Sequence, residues 1–466
     1  MTDAKKVVVL GGGPAGDVAA LRAAQMGAEV TMVERAELGG TCLNWGCIPT
    51  KSLLSSADLL RRFRRAEEYG IVAPDVSVDF PRMMSRKDEI VLKMRQGVEG
   101  ACKRKGVEVV RGEGRVSGDA VVVGDDSYPF DVLLLCTGTE PSGLPGLDMS
   151  HPAILTSNDI LMLESIPERM LIIGAGVIGC EFASLFAPLG TTITMVEILP
   201  RIIAGIDNRT ASQFQRILEK DGVTLHLGRR LEEITEYRDD GITAKLDDGT
   251  VIEADKLLVS IGRAAQTAGI GLEEAGVEIN ERGHIVVDDY LRTGNPKIYA
   301  AGDCIGGLQL AHLAEAEGDR AIENALGSVP VPMDRTVVPS CIYTHPEIAT
   351  IGLNADEAKE AGHTVKTGQT RFAGFGKPLG EGEPEGFSQI VFDADSGLIL
   401  GATIMGVHAV EMIHEIGVAI SDGMSVTDLG EIIHAHPTVS ESVMHAAKQG
   451  IGVAPVSYTH LTLPTN

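Results

Sequence analysis

The first candidate for chemistry is a pair of cysteines, Cys42 and Cys47, in the segment GGTCLNWGCIPTK at residues 39–51. In an extended strand their Cα atoms would lie roughly 16 Å apart, beyond the reach of a disulfide. In a regular helix their side chains would point away from each other. An irregular turn, which Gly46 permits, would bring the thiols together as a reversible redox disulfide. The alternatives are a zinc site, which needs two further ligands, and two inert buried thiols.

Two stretches repeat one pattern: a short apolar run, three spaced glycines, a helical stretch, a second apolar run and a glutamate. They are KVVVLGGGPAGDVAALRAAQMGAEVTMVE at residues 6–34 and RMLIIGAGVIGCEFASLFAPLGTTITMVE at residues 169–197. The glycines are Gly11, Gly13 and Gly16 in the first stretch and Gly174, Gly176 and Gly179 in the second. Glu34 and Glu197 each lie 18 positions beyond the third glycine. Two such motifs with the acidic residue in register indicate two dinucleotide sites.

The glycines and glutamates of these motifs suit different parts of a dinucleotide. Glycine lets the backbone approach a pyrophosphate that lies at a helix N-terminus. Glu34 and Glu197 would each accept hydrogen bonds from the ribose hydroxyls of an adenosine. Because a 2′-phosphate would be repelled by Glu197, the second site is predicted to take NAD rather than NADP. Arg201, four residues further on, is weak support for NADP.

Alternating strand and helix patterns must position these residues, and they predict an α/β fold with parallel sheets. We expect two Rossmann-like dinucleotide-binding domains and a C-terminal α+β domain. The boundaries are residues 1–148 for the first part of the first domain, 149–265 for the second domain, 266–336 for a return to the first, 337–455 for the C-terminal domain and 456–466 for a non-native or disordered tail.

The composition excludes several classes of function. The 466 residues carry a net charge of −25, which disfavours nucleic acid and anionic membrane surfaces as partners. No apolar run approaches the length of a membrane span, and the N-terminus does not resemble a secretory signal. Seven scattered cysteines are too few for a disulfide scaffold, and no metal site is expected. We therefore expect a cytoplasmic protein, in which a close cysteine pair is more often catalytic than structural.

The chain resembles the flavin-dependent pyridine nucleotide-disulfide oxidoreductases over roughly residues 5–452. The resemblance rests on GGTCLNWGCIPTK directly after the first glutamate and on several further stretches. These are GAGVIGCE (174–181), AAGDC (300–304), QLAHLAEAEG (309–318), YTHPEIATIGL (343–353) and HAHPTVSE (434–441).

The resemblance implies FAD on the first glycine motif and NAD on the second. It places Asp303 on the ribityl chain, Leu310, Ala311 and His312 at the isoalloxazine, and Lys51 near the flavin N5 edge, paired with Glu181. The other residues that it assigns to FAD are Gly40, Thr41, Gly114, Thr137 and Gly138. Those that it adds to the NAD site are Leu231 and Gly262. A cation such as Lys51 would stabilise negative charge on a reduced flavin.

The last candidates are His436 and Glu441. Disulfide exchange proceeds through a thiolate, and a histidine oriented by a carboxylate is a suitable base for forming one. By resemblance, His436 reaches the disulfide of the other subunit, so that the enzyme is a homodimer. His434 is expected to be structural.

The resemblance further implies oxidation of a protein-bound dihydrolipoyl group by NAD. Cys42 would be the interchange thiol that meets the substrate, and Cys47 the thiol that passes electrons to FAD. The partner would be a lipoyl-bearing protein, either the E2 component of a 2-oxo acid dehydrogenase complex or the H-type protein of glycine cleavage. The alternatives are a glutathione-type or other disulfide reductase of the same family, a flavoprotein without disulfide chemistry, and a docking subunit whose main role is binding.

Overall fold

The first glycine motif begins a parallel sheet, named here the N-terminal sheet. The computed structural model describes residues 4–74 and 76–453. The first elements are β1 (Lys6–Leu10), α1 (Pro14–Gln25), β2 (Glu29–Glu34), α2 (Gly40–Trp45), α3 (Cys47–Arg64), α4 (Phe80–Lys105), β3 (Glu108–Arg111), β4 (Gly114–Ser117), β5 (Ala120–Val123), β6 (Asp126–Pro129) and β7 (Val132–Leu135). Strands β7, β1, β2 and β3 lie side by side in parallel, and β4 to β6 form a separate antiparallel sheet. Val7 and Val9 of β1 are fully buried, as expected for a parallel strand covered on both faces.

The second glycine motif begins an equivalent parallel sheet. Its region contains β8 (Thr139–Pro141), β9 (Ile154–Leu155), β10 (Arg169–Ile173), α5 (Val177–Phe186), β11 (Thr192–Glu197), α6 (Asn208–Lys220), β12 (Thr224–Leu227), β13 (Leu231–Arg238), β14 (Gly241–Leu246), β15 (Val251–Ala254), β16 (Lys256–Val259) and β17 (Arg263–Ala265). The strand order of this sheet is β12-β11-β10-β16-β9, with β13 to β15 as an antiparallel layer. The Asp207 side chain caps α6 by accepting from the backbone N–H groups of Arg209 and Thr210.

After this region the chain returns to the N-terminal sheet. Strand β18 (Ile298–Ala300) pairs in parallel with β7, which makes the order β18-β7-β1-β2-β3. The outgoing strand β8 and the returning strand β17 pair antiparallel, so the two crossing segments form one ribbon. Helix α7 (Ala311–Leu326) then packs on α1. A Cβ added at Gly318 would lie 2.2 Å from the Ala15 carbonyl oxygen, so only glycine permits this approach.

The C-terminal region is an antiparallel sheet covered by helices. Its elements are β19 (Ser340–Ile342), β20 (Ile348–Gly352), α8 (Ala355–Glu360), β21 (Val365–Arg371), α9 (Gly376–Gly380), β22 (Phe387–Asp393), β23 (Ile399–Met405), α10 (Ala409–Ser421), α11 (Val426–Glu431) and α12 (Glu441–Gly450). The strand order is β19-β20-β23-β22-β21. Apolar side chains of α10 and α12, such as Ile413 and Val443, are fully buried against it.

The predicted fold class is confirmed, with two dinucleotide-binding parallel sheets followed by an α+β region. Within the described residues, no helix is long and apolar enough to cross a membrane. The tail at residues 456–466 lies outside the described residues.

We expect Gly179→Ala to destabilise the protein, whereas Gly176→Ala should be tolerated. A Cβ at Gly179 would lie 2.1 Å from the Gly174 carbonyl oxygen, but a Cβ at Gly176 would meet nothing within 4 Å. Overpacking against rigid backbone forces the helix and the strand apart, so the midpoint of thermal unfolding of Gly179→Ala should fall by about 5–10 °C. Equal midpoints for the two variants would contradict this account of the packing.

Candidate active site

The two cysteines meet at the junction of α2 and α3. Cys42 lies in α2 and Cys47 is the first residue of α3, with Gly46 between the helices at φ −141° and ψ −110°. A Cβ at Gly46 would lie 3.0 Å from the Thr41 carbonyl oxygen and 3.4 Å from the Cys42 Cα, so this junction leaves little room for a side chain. Both thiols are free and partly exposed. The irregular turn at Gly46 therefore replaces the straight strand or helix that would have separated the cysteines.

The environments of the two thiols differ. The hydrogen bond between them and the charge of Lys51 lower the pKa of Cys47 to about 7, against the opposing effect of burial. The same hydrogen bond and burial raise the pKa of Cys42. Cys47 also lies at the N-terminus of an 18-residue helix, where the helix dipole favours a thiolate. Cys47 is therefore the thiol that is ionised near neutral pH.

Lys51, one turn into α3, is held by residues from the two other regions of the chain. Its Nζ lies 2.9 and 2.8 Å from the two carboxylate oxygens of Glu181, which is buried in α5. The Tyr343 backbone N–H donates to Glu181 Oε1 at 3.1 Å, and the Lys51 Nζ lies 4.6 Å from the centre of the Tyr343 ring. The pairing of Lys51 with Glu181 expected from the resemblance is present in the structure, and Tyr343 is an addition that sequence reasoning missed.

Glu34 and Glu197 hold the two glycine turns in the same way. Glu34 accepts from the backbone N–H groups of Gly12 and Ala36, both at 2.7 Å. Glu197 accepts from the N–H of Ala175 at 2.7 Å and from that of Leu199 at 2.9 Å. Each carboxylate therefore lies beside the turn where the resemblance expects an adenosine ribose.

The glycines of the first motif allow close backbone contacts at the N-terminus of α1. Gly11 has φ +107°, and a Cβ there would lie 2.2 Å from the Cys136 carbonyl oxygen. A Cβ at Gly16 would lie 1.9 Å from the Gly11 carbonyl oxygen. Gly40, at φ +54°, brings the start of α2 against Gly13, where a Cβ would lie 2.6 Å from the Gly13 Cα. Glycine at these positions leaves the start of α1 without side chains that would keep a phosphate group away from the backbone.

Asp303 lies in a hydrogen-bonded chain that includes a partly buried cation, Arg263. Asp303 Oδ2 accepts from Thr139 Oγ1 at 2.9 Å, and Thr139 Oγ1 accepts from Arg263 Nε at 2.8 Å. The Arg263 guanidinium also donates to the Thr139 carbonyl oxygen and to Thr41 Oγ1. Burial lowers the pKa of Arg263, and within residues 4–74 and 76–453 no carboxylate lies in ion-pair distance of it. Sequence reasoning missed Arg263, whose only signal was its position in the Gly-Arg pair after β16.

These residues fit a bound FAD. Among the described residues, the buried Thr137 Oγ1 has no hydrogen-bond partner, and the partly buried Arg263 has no carboxylate within ion-pair distance. A flavin dinucleotide offers both a polar partner for the hydroxyl and phosphate charge for the guanidinium. Together with the glycine turn at Gly13, the Thr137 hydroxyl and the Arg263 guanidinium match the chemistry of that cofactor.

The remaining predicted FAD residues surround this turn or lie on α7. Gly138 has φ +66° and follows Thr137, and Gly114 at the start of β4 contacts the ends of β1 and β2. Leu310 and Ala311 form the start of α7, and His312 Nε2 lies 2.8 Å from the Pro339 carbonyl oxygen.

The second site suits NAD. Leu231 begins β13, and Gly262, at φ +135°, precedes Arg263. The Arg201 guanidinium donates to the carbonyl oxygens of Ala204 and Ile206, so it is engaged within its own loop. Glu197 therefore remains the charged group beside the glycine turn, which disfavours a 2′-phosphate.

His436 and Glu441 form a pair on the surface of the C-terminal region. His436 Nδ1 lies 2.9 Å from Glu441 Oε1, and Glu441 Oε2 accepts from the Thr438 backbone N–H at 2.9 Å. The His436 side chain is 70% exposed, so its Nε2 edge faces outward. No hydrogen bond among the described residues joins His436 to the cysteine turn of the same chain.

Comparisons with known proteins cover almost the whole chain. Residues 5–318 match the family described as pyridine nucleotide-disulphide oxidoreductase, and residues 338–447 match its dimerisation domain. The dihydrolipoyl dehydrogenase of Bacillus subtilis strain 168 is 41% identical over 96% of this chain and 98% of that protein. The dihydrolipoyl dehydrogenase of Chlorobaculum tepidum is 38% identical over 95% of this chain and 96% of that protein.

The same fold is found in solved structures. LpdA from Mycobacterium tuberculosis superposes with a TM-score of 0.89 at 28% identity, over 95% of this chain and 99% of that one. The HOCl-induced flavoprotein disulfide reductase RclA from Escherichia coli superposes with a TM-score of 0.86 at 27% identity, over 94% and 98% of the two chains. The chain therefore belongs to the pyridine nucleotide-disulphide oxidoreductases.

Proposed function

We propose that the chain oxidises protein-bound dihydrolipoyl groups to lipoyl groups, with NAD as the final electron acceptor. It is an oxidoreductase of a family that uses FAD and NAD, and its C-terminal dimerisation domain makes it a homodimer. The observation that carries the proposal is the cysteine turn, in which one ionisable thiol lies beside the Lys51–Glu181 pair. Two full-length relatives named dihydrolipoyl dehydrogenase support the choice of substrate.

The chemistry proposed for this turn is thiol–disulfide exchange. His436 of the partner subunit, oriented by Glu441, takes a proton from a substrate thiol, and the resulting thiolate attacks the Cys42 sulfur of a Cys42–Cys47 disulfide. The disulfide breaks, and Cys47 leaves as a thiolate that Lys51 and the α3 N-terminus stabilise. The second substrate thiol then gives up its proton to the departing Cys42 thiolate and attacks the substrate sulfur that is bound to Cys42. The mixed disulfide breaks, the lipoyl disulfide closes and Cys42 is left as a thiol. Bound FAD supplies the two-electron relay from the reduced pair to NAD.

The two cofactors are assigned to the two glycine motifs. FAD would lie at the first, with Glu34 at its ribose, Asp303 at the ribityl chain and Arg263 near the phosphates. NAD would lie at the second, with Glu197 at its ribose.

The membership of strands in the sheets supports the domain boundaries proposed from the sequence, as far as residue 453. Strand β18 lies in the N-terminal sheet, whereas β9 to β16 do not. The proposed boundaries are 1–148, 149–265, 266–336 and 337–455. The final boundary at 455 lies outside the described residues.

The partner proposed is a lipoyl-bearing protein, either the E2 component of a 2-oxo acid dehydrogenase complex or the H-type protein of glycine cleavage. Such a partner brings its dithiol on a flexible arm, and the partly exposed Cys42 suits this delivery. A cytoplasmic location is part of the proposal, because seven scattered cysteines are too few for a disulfide scaffold of the kind found in oxidising compartments.

The experiment that tests the function is a two-arm anaerobic assay of the purified holoenzyme. One arm supplies dihydrolipoamide and NAD, and the other supplies glutathione disulfide and NADPH. We expect NADH formation in the first arm at a rate at least ~100-fold above the turnover of the second, because Glu197 repels a 2′-phosphate. Activity in the second arm alone would establish a glutathione-type reductase instead. Inactivity in both arms with FAD bound would favour a docking subunit.

A further inference from the structure

The loop of residues 432–440 carries His436, and a second histidine, His434, holds the beginning of this loop. His434 is the exception in an exposed stretch: Ile433 is 96% exposed and the His436 side chain 70%, but the His434 side chain is only 7% exposed. His434 therefore points back into the protein from the same loop that presents His436 to the outside.

Both ring nitrogens of His434 face hydrogen-bond acceptors. Nε2 lies 2.6 Å from Glu415 Oε1, and Nδ1 lies 3.0 Å from the Ile432 carbonyl oxygen. A carbonyl oxygen and an ionised carboxylate only accept, so with Glu415 ionised both nitrogens carry a proton and the ring is an imidazolium. The hydrogen bond to Glu415 also raises the pKa of His434, which agrees with this protonation state. A ring with no free lone pair cannot act as a base, so His434 is not an alternative to His436.

The contact with Glu415 joins the loop to another helix. Glu415 lies on α10, and a charged hydrogen bond of this kind is among the stronger polar contacts in proteins. The later part of the loop is held by its own backbone and by the start of the next helix, because Thr438 donates its hydroxyl to the Ala435 carbonyl oxygen and its backbone N–H to Glu441 of α12. In the described part of the chain, the side chains of residues 432–440 and their hydrogen-bond partners reach two helices: Glu441 begins the adjacent helix α12, and Glu415 on α10 is the one such partner outside residues 432–441.

We propose that His434 and Glu415 are positioning residues for His436, which clamp the loop to α10 so that the exposed ring is held where the partner subunit's substrate thiol arrives. The inference rests on the proposed role of His436 as the base. A base must lie within hydrogen-bond reach of the proton that it takes. If the loop moves His436 by about 1 Å, the rate of proton transfer from the substrate thiol falls sharply. The pair does not touch the substrate itself.

The experiment compares dimeric holoenzymes that carry His434→Ala, Glu415→Gln or the control His363→Gln. His363 pairs with Asp393 at 3.2 Å in the same C-terminal region and is absent from the proposed machinery. Two reactions are measured: dihydrolipoamide oxidation by NAD, and NADH oxidation by ferricyanide, which requires no dithiol exchange. We expect kcat for dihydrolipoamide to fall about 30-fold in His434→Ala and about 5-fold in Glu415→Gln, with unchanged ferricyanide rates. His363→Gln should match the parent enzyme in both reactions.

A double-mutant cycle separates positioning from general damage. If His434 acts through His436, adding His434→Ala to His436→Ala should cost no further activity. Three results would each overturn the proposal. The first is an additive loss in the double variant, and the second is an equal fall in the rate of the ferricyanide reaction. The third is a dihydrolipoamide rate within twofold of the parent for both His434→Ala and Glu415→Gln. Should His434→Ala fail to fold, Glu415→Gln takes its place in the cycle. A normal rate in His436→Ala itself would identify the proposed base as the error and remove the inference with it.

Discussion

Replacing Cys47 with serine should lower the rate of dihydrolipoamide oxidation by a factor of at least ~10⁴. Serine can neither form the disulfide nor leave as a stabilised anion next to Lys51. Cys42→Ser should have the same effect, because it removes the sulfur that the substrate attacks. Turnover is measured in the anaerobic dihydrolipoamide assay. Cys102→Ser, which changes a thiol of α4 that is buried outside the site, is the matched control and should retain the parent rate per bound FAD.

The two cysteine variants should differ in their titration. The pKa of Cys47 is lowered from 9.0 to about 7, so below this pH its thiol is protonated and above it the thiolate forms. In Cys42→Ser the new hydroxyl still donates to Cys47, and the ultraviolet absorbance of the thiolate should rise with a midpoint near pH 7. In Cys47→Ser the thiol of Cys42 should titrate at higher pH. The reverse order, or near-normal turnover in either variant, would refute the roles assigned to the two cysteines.

The second large effect is expected from His436→Ala, which should lower kcat for dihydrolipoamide about 10³-fold while leaving FAD content unchanged. The imidazole is the base that forms the substrate thiolate, and alanine leaves that proton to water. Glu441→Gln should cost less, since the amide oxygen can still accept from His436 Nδ1 although it no longer stabilises the imidazolium. A His436→Ala enzyme with more than a tenth of the parent rate would contradict the assignment.

A mixed dimer tests whether His436 acts across the subunit interface. One chain carries Cys47→Ser and the other His436→Ala. If the histidine serves the cysteine pair of the partner subunit, the purified heterodimer has one intact site and about half the parent activity. If it serves its own chain, both sites are defective and the heterodimer is inactive.

The glycine motifs and their glutamates were predictable because they are local. Gly11, Gly16 and Glu34 act within one strand–helix–strand unit, so their spacing in the sequence determines their spacing in space. The pairing of Lys51 with Glu181 was available only through the family resemblance, since the two residues meet across separate regions of the fold.

Arg263, Tyr343 and the role of Glu415 could not be predicted for the same physical reason. Arg263 is defined by contacts with Thr139 and Thr41, which depend on the pairing of β8 with β17. Tyr343 reaches Lys51 only when the C-terminal region packs on α3. His434 was expected to be structural, but nothing in its local sequence indicates an acceptor 19 residues earlier on α10.

The placement of β18 beside β7 affects how the protein is made. During synthesis β7 emerges early, but its second neighbour appears only after the whole second sheet has been translated. At roughly 5–20 residues per second, one edge of the first sheet waits on the order of ten seconds. In that interval Leu133 and Leu135 present an apolar, unpaired edge, and Asp303 is not yet available to receive the flavin. FAD capture is therefore expected only late in translation, and a ribosome stalled within the second sheet would hold a nascent chain prone to aggregation rather than a partly active enzyme.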